Sequence, residues 1–377
     1  METAVQLVAF NIPYPPDYGG VIDIFYKVKA LSECGIKVYL HCFEYDRPHA
    51  KELEKYCAKV YYYKRKSGVR YQFSAKPYIV KTRFNDQLLS NLSENKSQIL
   101  FEGLHTCLYL DHPMLSQHLR LVRTHNIEHE YYLNLAQSET NLLKKLFFRI
   151  EAGKLKSFER ILKNASHLLC ISPNDNFYFD KHYGNSHFIP AFHPFSEIKS
   201  QTGRGKYILF HGNLSVSENL QAVEFLMKNI FLQIKQEVII AGKNPTARLI
   251  QKIKQHPNIQ LIQNPVHEQM EALIRDAHIC LIPTFQDTGL KLKLLASLFS
   301  GRFCLTNTPM VHKTGLEHLC HIADTPDEMI KLINELYFQD FTSEEIEKRK
   351  NILEDAFSNR RNALKIIHIL NETTQKA

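Results

Sequence analysis

Two successive series of short apolar runs, spaced by helix-length segments, constrain this chain more than any single motif does. The first series falls at 5–10, 36–43, 60–63, 99–102, 121–124, 167–172 and 187–190. The second falls at 207–212, 237–241, 259–262, 278–283, 302–306 and 320–323. Such runs have strand length, whereas Leu220, Val223, Met227 and Ile230 in the segment after 207–212 recur at helical spacing. Ser217 is the expected N-cap of that helix. Strands alternating with helices specify parallel sheets covered by helices. At 377 residues the chain exceeds one ordinary core, so two domains are expected.

The break between the series is the polar, aperiodic stretch 191–206, which carries Gly203 and Gly205 and reads as a linker. The expected architecture is therefore α/β, with a doubly wound domain over 1–190, the linker at 191–206, and a second doubly wound domain over 207–342. A charged amphipathic helix or helix pair completes the chain over 343–377. A cleft between the two domains is the expected place for a ligand.

A formal net charge of +8 favours anionic partners, namely phosphorylated substrates, acidic lipid surfaces or nucleic acid, without choosing among them. The eight cysteines are scattered and none forms a Cys-x-x-Cys pair, so they read as small core hydrophobes in a reducing compartment. Val5–Phe10 is too short for a signal peptide, and no stretch approaches the roughly 20 apolar residues of a membrane span. A cytoplasmic chain is expected.

Several features carry chemistry. Thr288-Gly-Leu-Lys-Leu-Lys293 follows the apolar run Ile279–Pro283 and reads as a helix start opened by glycine. A helix N-terminus offers unpaired N–H groups and partial positive charge, and lysines in a first turn oppose the helix dipole unless an anion is near. Lys291 and Lys293 thus mark a phosphate site, against the plainer reading of a basic amphipathic helix. Gly19-Gly20 after the first strand and His211-Gly-Asn-Leu after the eighth have the same strand–glycine–helix pattern. Arg123-Thr-His-Asn-Ile-Glu-His-Glu130 ends a strand, where polar side chains point toward a ligand. His125 there can contact a sugar or phosphate, or move a proton. A competing reading takes His125, Glu128 and His129 as an inverted zinc-peptidase motif, H-x-x-E-H. Residues 55–83 are basic and aromatic with no acid, which suits an anionic membrane surface or single-stranded nucleic acid. A solvated loop beside a Tyr-rich strand is the plainer alternative.

On these motifs the chain resembles GT-B-fold glycosyltransferases, specifically family 4-like enzymes, over nearly its whole length. The resemblance implies two Rossmann-like domains facing a central cleft, with a C-terminal helix crossing back to the first. It implies retaining transfer of a hexose from a nucleotide-sugar to a glycan or lipid-linked acceptor, with no protein nucleophile. Surface polysaccharide synthesis is the expected setting, at the inner face of the membrane. Carried over residue by residue, His125, Glu128 and Lys293 are the catalytic candidates. Gly19, Gly20, Gly212, Asn213, Thr288, Gly289 and Lys291 are the donor-binding candidates. No cofactor is implied beyond the nucleotide-sugar co-substrate, and no nucleic-acid partner. The chain has no Asp-x-Asp, the usual metal-bound carboxylate pair, so no metal is expected.

Two departures stand out. Better-known members carry paired glutamates where this sequence has Thr288 and Ala296, and an Arg and a Lys where it has Asn213 and Glu218. Three alternatives follow: a non-catalytic GT-B protein that binds a sugar or partner, a zinc hydrolase through His125, Glu128 and His129, and a nucleotide-sugar epimerase.

Overall fold

The computed structural model describes residues 3–139, 141–286 and 291–372. Its thirteen strands are β1 Ala4–Ala9, β2 Lys37–Glu44, β3 Lys59–Lys64, β4 Gln98–Glu102, β5 Arg120–Thr124, β6 His167–Cys170, β7 Ser186–Phe188, β8 Ile208–Asn213, β9 Val238–Lys243, β10 Ile259–Gln263, β11 Ile279–Leu281, β12 Phe303–Thr306 and β13 His321–Ile322. Each expected strand is present. The helices that matter below are α1 Gly19–Glu33, α2 Glu128–Ser138, α3 Leu142–Phe158, α4 Ser217–Asn229, α5 Leu292–Ser300, α6 Ser343–Ala356 and α7 Asn359–Glu372.

The strands form two all-parallel sheets, in the orders β3-β2-β1-β4-β5-β6-β7 and β10-β9-β8-β11-β12-β13. In each, the order reverses beside the first strand of its series, between β1 and β4 and between β8 and β11. Ligands of such sheets bind beyond the carboxyl ends of the strands at these reversals. The close pairing of β8 with β9 depends on Gly242, because a Cβ there would lie 1.9 Å from the Gly212 carbonyl oxygen. Ser217 begins α4, and Val216 holds the N-cap position expected of it.

The chain divides into two compact units. The first runs through Pro194 and resumes at Ala356, and the second is Phe195–Asp355. Within the first unit α7 packs its Ala363, Ile366, Ile369 and Leu370 into the same buried cluster as Ile24, Val28 and Leu31 of α1. His193 fastens the start of α7: its Nε2 lies 2.8 Å from the Phe357 carbonyl, and its backbone N–H donates to Asn359 Oδ1 at 3.1 Å. Within the second unit the stretch after Phe195 is bonded in. The Lys199 N–H donates to Phe299 O at 2.7 Å, and the buried Arg349 of α6 donates to Ser200 Oγ at 2.9 Å and Gly301 O at 2.6 Å.

Candidate functional site

In the first unit, the strand ends at the reversal converge on His125. The neighbouring strand β4 ends in Glu102, whose Oε2 is 3.0 Å from His125 Nε2. A carboxylate only accepts, so Nε2 carries a proton and the ring is oriented by Glu102. Glu102 in turn belongs to a fully buried charge cluster. Asp23 and Lys27, one turn apart on α1, are bonded at 2.8 Å, and Lys27 Nζ reaches Glu102 Oε1 at 2.9 Å. The Arg123 guanidinium donates twice to Asp23, at 2.8 and 3.2 Å, and to the Ile189 and Pro190 carbonyls. Burial alone would raise the Asp23 carboxyl, but Arg123 and Lys27 overturn that and hold it far below its usual range. Two cations face two carboxylates, so the cluster is internally neutral and seats His125 rigidly.

Phe10, just past β1, lies under both histidines of this region. Its ring centroid is 5.1 Å from that of His105 and 5.5 Å from that of His125. Gly20 exists to admit that ring, since a Cβ there would fall 2.6 Å from Phe10 Cζ. Gly19 faces open space and opens α1, whose N-cap Tyr18 gives no side-chain cap. Its contribution is a free helix N-terminus rather than a steric one.

Glu128 opens α2 and is buried. Among the described residues its Oε1 has no hydrogen-bond partner, and it lies 3.9 Å from His105 Nδ1, which has none there either. Burial first, then Glu159 and Asp175, push the Glu128 carboxyl up to about 8. The same burial, with Arg83 nearby, drives His105 far below its usual value. Glu128 is therefore a proton-bearing acid near neutral pH, a state suited to donation. The folded chain holds that proton between pH 4.5 and about 8 while the unfolded chain releases it. The stability from this group is complete below 4.5 and lost as pH rises through about 8. Glu128→Gln is expected to flatten that limb of the stability curve, measured by urea unfolding at several pH values. An unaltered slope would show that Glu128 titrates normally.

The metal reading of His125, Glu128 and His129 is not supported by this geometry. His129 Nδ1 turns to Glu159 at 3.2 Å, beside the Tyr178 and Tyr183 hydroxyls that also bond Glu159. Among the described residues, the group with ligand atoms within 4.8 Å of one another is Asp23, Glu102 and His125. Lys27 is already bonded to both of those carboxylates, so a cation would have to displace it.

The basic stretch 55–83 is not one uniform surface. Lys59, Arg65 and Lys66 lie over the rings of Tyr61, Tyr45 and Phe84 at 4.5, 4.2 and 4.2 Å. Arg83 is buried and donates to the Phe10 carbonyl at 2.9 and 3.0 Å.

In the second unit, the site lies at the carboxyl ends of β8 and β11. Thr288 and Gly289 fall outside the described residues. The helix begins at Leu292, with Lys291 as its N-cap and no side-chain cap. Lys293 is in its first turn. Its Nζ lies 5.3 Å from the centroid of the Phe210 ring and donates to Asn219 Oδ1 at 2.8 Å. Burial pulls it down to about 8, partly countered by Glu218. A cation that is desolvated, bonded to a neutral amide and placed at a helix start has the chemistry to receive an anion.

The surrounding residues position it. Asn219 of α4 also donates through Nδ2 to the Asn213 carbonyl at 2.9 Å and covers Gly212, where a Cβ would meet its side chain at 3.0 Å. The Ser297 hydroxyl donates to the Lys293 carbonyl at 2.9 Å, so at 2.9 Å from His211 Nε2 it accepts. His211 therefore donates from Nε2, and burial, then Lys293, push it down to about 3, which leaves it neutral near pH 7. Lys291 donates to the Gln286 carbonyl at 2.8 Å and stands 3.9 Å from Glu218, which also accepts from Thr284. Asn213 folds its Oδ1 onto the Ser215 N–H at 3.1 Å, a local turn contact.

Sequence reasoning missed Glu102 and Phe210. Glu102 had a signal, an acid directly ending the apolar run Ile99-Leu-Phe. Phe210 had none, because its role depends on where Lys293 lies.

No family model matches this sequence. An uncharacterized 44.6 kDa protein in the cps region of Klebsiella pneumoniae is 27% identical over 344 residues, covering 86% of this chain and 88% of that protein. Among solved structures, TarM is similar with a TM-score of 0.68 at 11% identity, over 98% of this chain and 99% of TarM. HepE of Anabaena, solved with UDP and glucose, gives a TM-score of 0.64 at 11% identity, over 98% and 100% of the two chains. The fold is GT-B. In this GT-B chain His125 follows β5, one strand from the reversal of its sheet, and Lys293 follows β11, which flanks the reversal of the other.

Proposed function

We propose that this protein is a family 4-like glycosyltransferase that moves a sugar from a nucleotide-sugar to a glycan or lipid-linked acceptor in surface polysaccharide synthesis. The observation that carries the reading is Lys293, a desolvated ammonium at a helix start with a neutral partner, in place to take a donor phosphate. The fold it shares with HepE, solved with UDP and glucose, supports a nucleotide-sugar donor. The relative in a cps region supports polysaccharide synthesis.

In the reaction, phosphate oxygen acquires negative charge as the glycosidic bond breaks, and Lys293 with the α5 N–H groups stabilises it. His125 would present Nδ1 to a sugar hydroxyl, and Glu128 would supply a proton-bearing acid near it. The family 4-like resemblance supports retaining transfer, and lysine in the role of a metal ion at the phosphate supports a metal-independent one. The protein works in the cytoplasm, peripherally at the inner membrane face.

Glu218 favours a second reading. It puts a carboxylate 3.9 Å from Lys291, beside the expected phosphate position, which suits a non-catalytic GT-B protein that binds a sugar or partner. One experiment separates the two. Thermal shift with UDP and GDP is expected to show stabilisation by one nucleotide, followed by turnover of its sugar conjugates that persists in EDTA and keeps the donor's anomeric configuration by NMR. Nucleotide binding without turnover of any conjugate would favour the non-catalytic reading. No response to either nucleotide at millimolar concentration would overturn the donor assignment.

A further inference from the structure

Helix α3 carries an apolar stripe on the outside of the first unit. Leu142, Leu146 and Ile150 follow one another at a spacing of four, and Leu143 lies beside them. Residues so spaced stack along one helix face. Leu142 and Leu143 are each 80% exposed, Leu146 55% and Ile150 51%. The opposite face, with Glu151, Ala152 and Leu155, is buried. A solvated helix normally reverses this arrangement on its outer side.

The stripe is bordered by cations. Lys145, Arg149 and Lys156 follow at spacings of four and seven in the row next to it. The one acid of α3, Glu151, is buried and accepts from the Tyr78 N–H at 2.6 Å and from Lys154 at 2.8 Å. Its charge therefore does not face solvent with the others.

A second segment joins this surface. Lys154 also donates to the Gln72 carbonyl at 2.6 Å, and the rings of Tyr78 and Phe147 meet edge to face at 6.4 Å. These contacts hold the stretch containing Val69, Arg70 and Phe73 against α3. Phe73 is 85% exposed and Val69 64%. Two separate elements thus present large apolar side chains among basic ones.

We infer that α3, together with residues 69–73, docks this protein on a bilayer containing anionic lipids, the leucine stripe entering the acyl boundary and the flanking cations meeting the headgroups. Charge complementarity selects this occupant: an apolar protein partner needs no ring of cations, whereas an anionic lipid surface needs both. None of the described helices is long and apolar enough to cross a membrane, so docking at the surface is the mode available to them. The assignment does not depend on the nucleotide-sugar reading and names the surface for the membrane association proposed with it.

The test is flotation of the full-length chain with vesicles of phosphatidylcholine alone, or with about one third phosphatidylglycerol. Wild type is expected to bind the anionic vesicles at least about tenfold more strongly and to lose binding as salt rises. Leu146→Glu with Ile150→Glu, both at exposed positions, should reduce binding about tenfold or more, as should Lys145→Ser with Arg149→Ser. Absence of wild-type binding to anionic vesicles, or equal binding by the glutamate variant, overturns the inference. A wild-type dimer that the glutamate variant converts to monomer, with vesicle binding unchanged, overturns it in favour of self-association. Thermal shift with UDP and GDP on the same variants separates the readings: loss of vesicle binding with an intact nucleotide response isolates the defect to α3, and vesicle binding without any nucleotide response leaves the surface standing while the donor assignment fails.

Discussion

Replacing Lys293 with alanine is expected to weaken UDP or GDP binding by about 1.5–3 kcal/mol, the range for a hydrogen bond to a charged group. The bonded neighbour of its ammonium is the neutral Asn219 Oδ1, and its environment is the Phe210 ring. Burial lowers it from 10.5 to about 8, so its charge is under-compensated by the protein alone. A phosphate restores that compensation and raises the pKa. Affinity in the wild type should therefore fall as pH rises above about 8, and Lys293→Ala should lose this dependence.

Stability should move the other way. The folded-state value lies below the unfolded one, so Lys293 burdens the unliganded fold at pH values below about 8, and the burden fades as pH rises toward 10.5. Lys293→Met is thus expected to keep or raise the Tm of the free protein while lowering affinity, the mark of a group held for binding. Calorimetric titration and thermal melts read both. Unchanged affinity in Lys293→Ala would refute the phosphate role.

Replacing Asp23 with alanine is expected to destabilise the first unit by about 3–5 kcal/mol, the usual cost of breaking a buried ionic cluster by removing one partner. Asp23 takes bonds from Lys27, Arg123 and the Phe192 N–H, the last at 2.8 Å. Without it two buried cations share Glu102. At about 2–4 °C per kcal/mol for a unit of this size, a fall in Tm on the order of 10 °C follows. Because Asp23 is held below its unfolded value of 3.8, its stabilisation is present above that value and lost as pH falls. A loss below about 1 kcal/mol in urea unfolding would mean that the cluster contributes little net stability.

His125 also depends on this cluster. Its ring is oriented because Glu102 accepts from Nε2, and Glu102 is placed by Lys27. Damage at Asp23 therefore reaches the site as well as the fold.

The order of apolar runs was sufficient for the architecture. A β-strand buried on both faces must be apolar almost throughout, so each central strand announces itself locally. Thirteen apolar runs, central and edge together, split by 191–206, imply two doubly wound sheets. Glycines at strand ends and lysines at a helix start are also local signals, and they point to Gly20, Gly212 and Lys293. The outer face of α3 was equally open to reading, since Leu142, Leu143, Leu146 and Ile150 share a helical face in any helix. Without a structure, that face could as well have been core.

Sequence alone determined the two-sheet fold and the residue types available at the strand ends, because periodicity and backbone demands act over a few residues. Tertiary structure decided which of those residues act together. It set Glu102 against His125, Phe210 beneath Lys293, Asn219 across from both Gly212 and Lys293, and His129 away from His125 onto Glu159. It also brought Phe73 to α3 through Lys154. Most of these pairings join side chains well separated in the chain, whose charge state and exposure depend on burial by other elements. Local sequence holds no record of that burial.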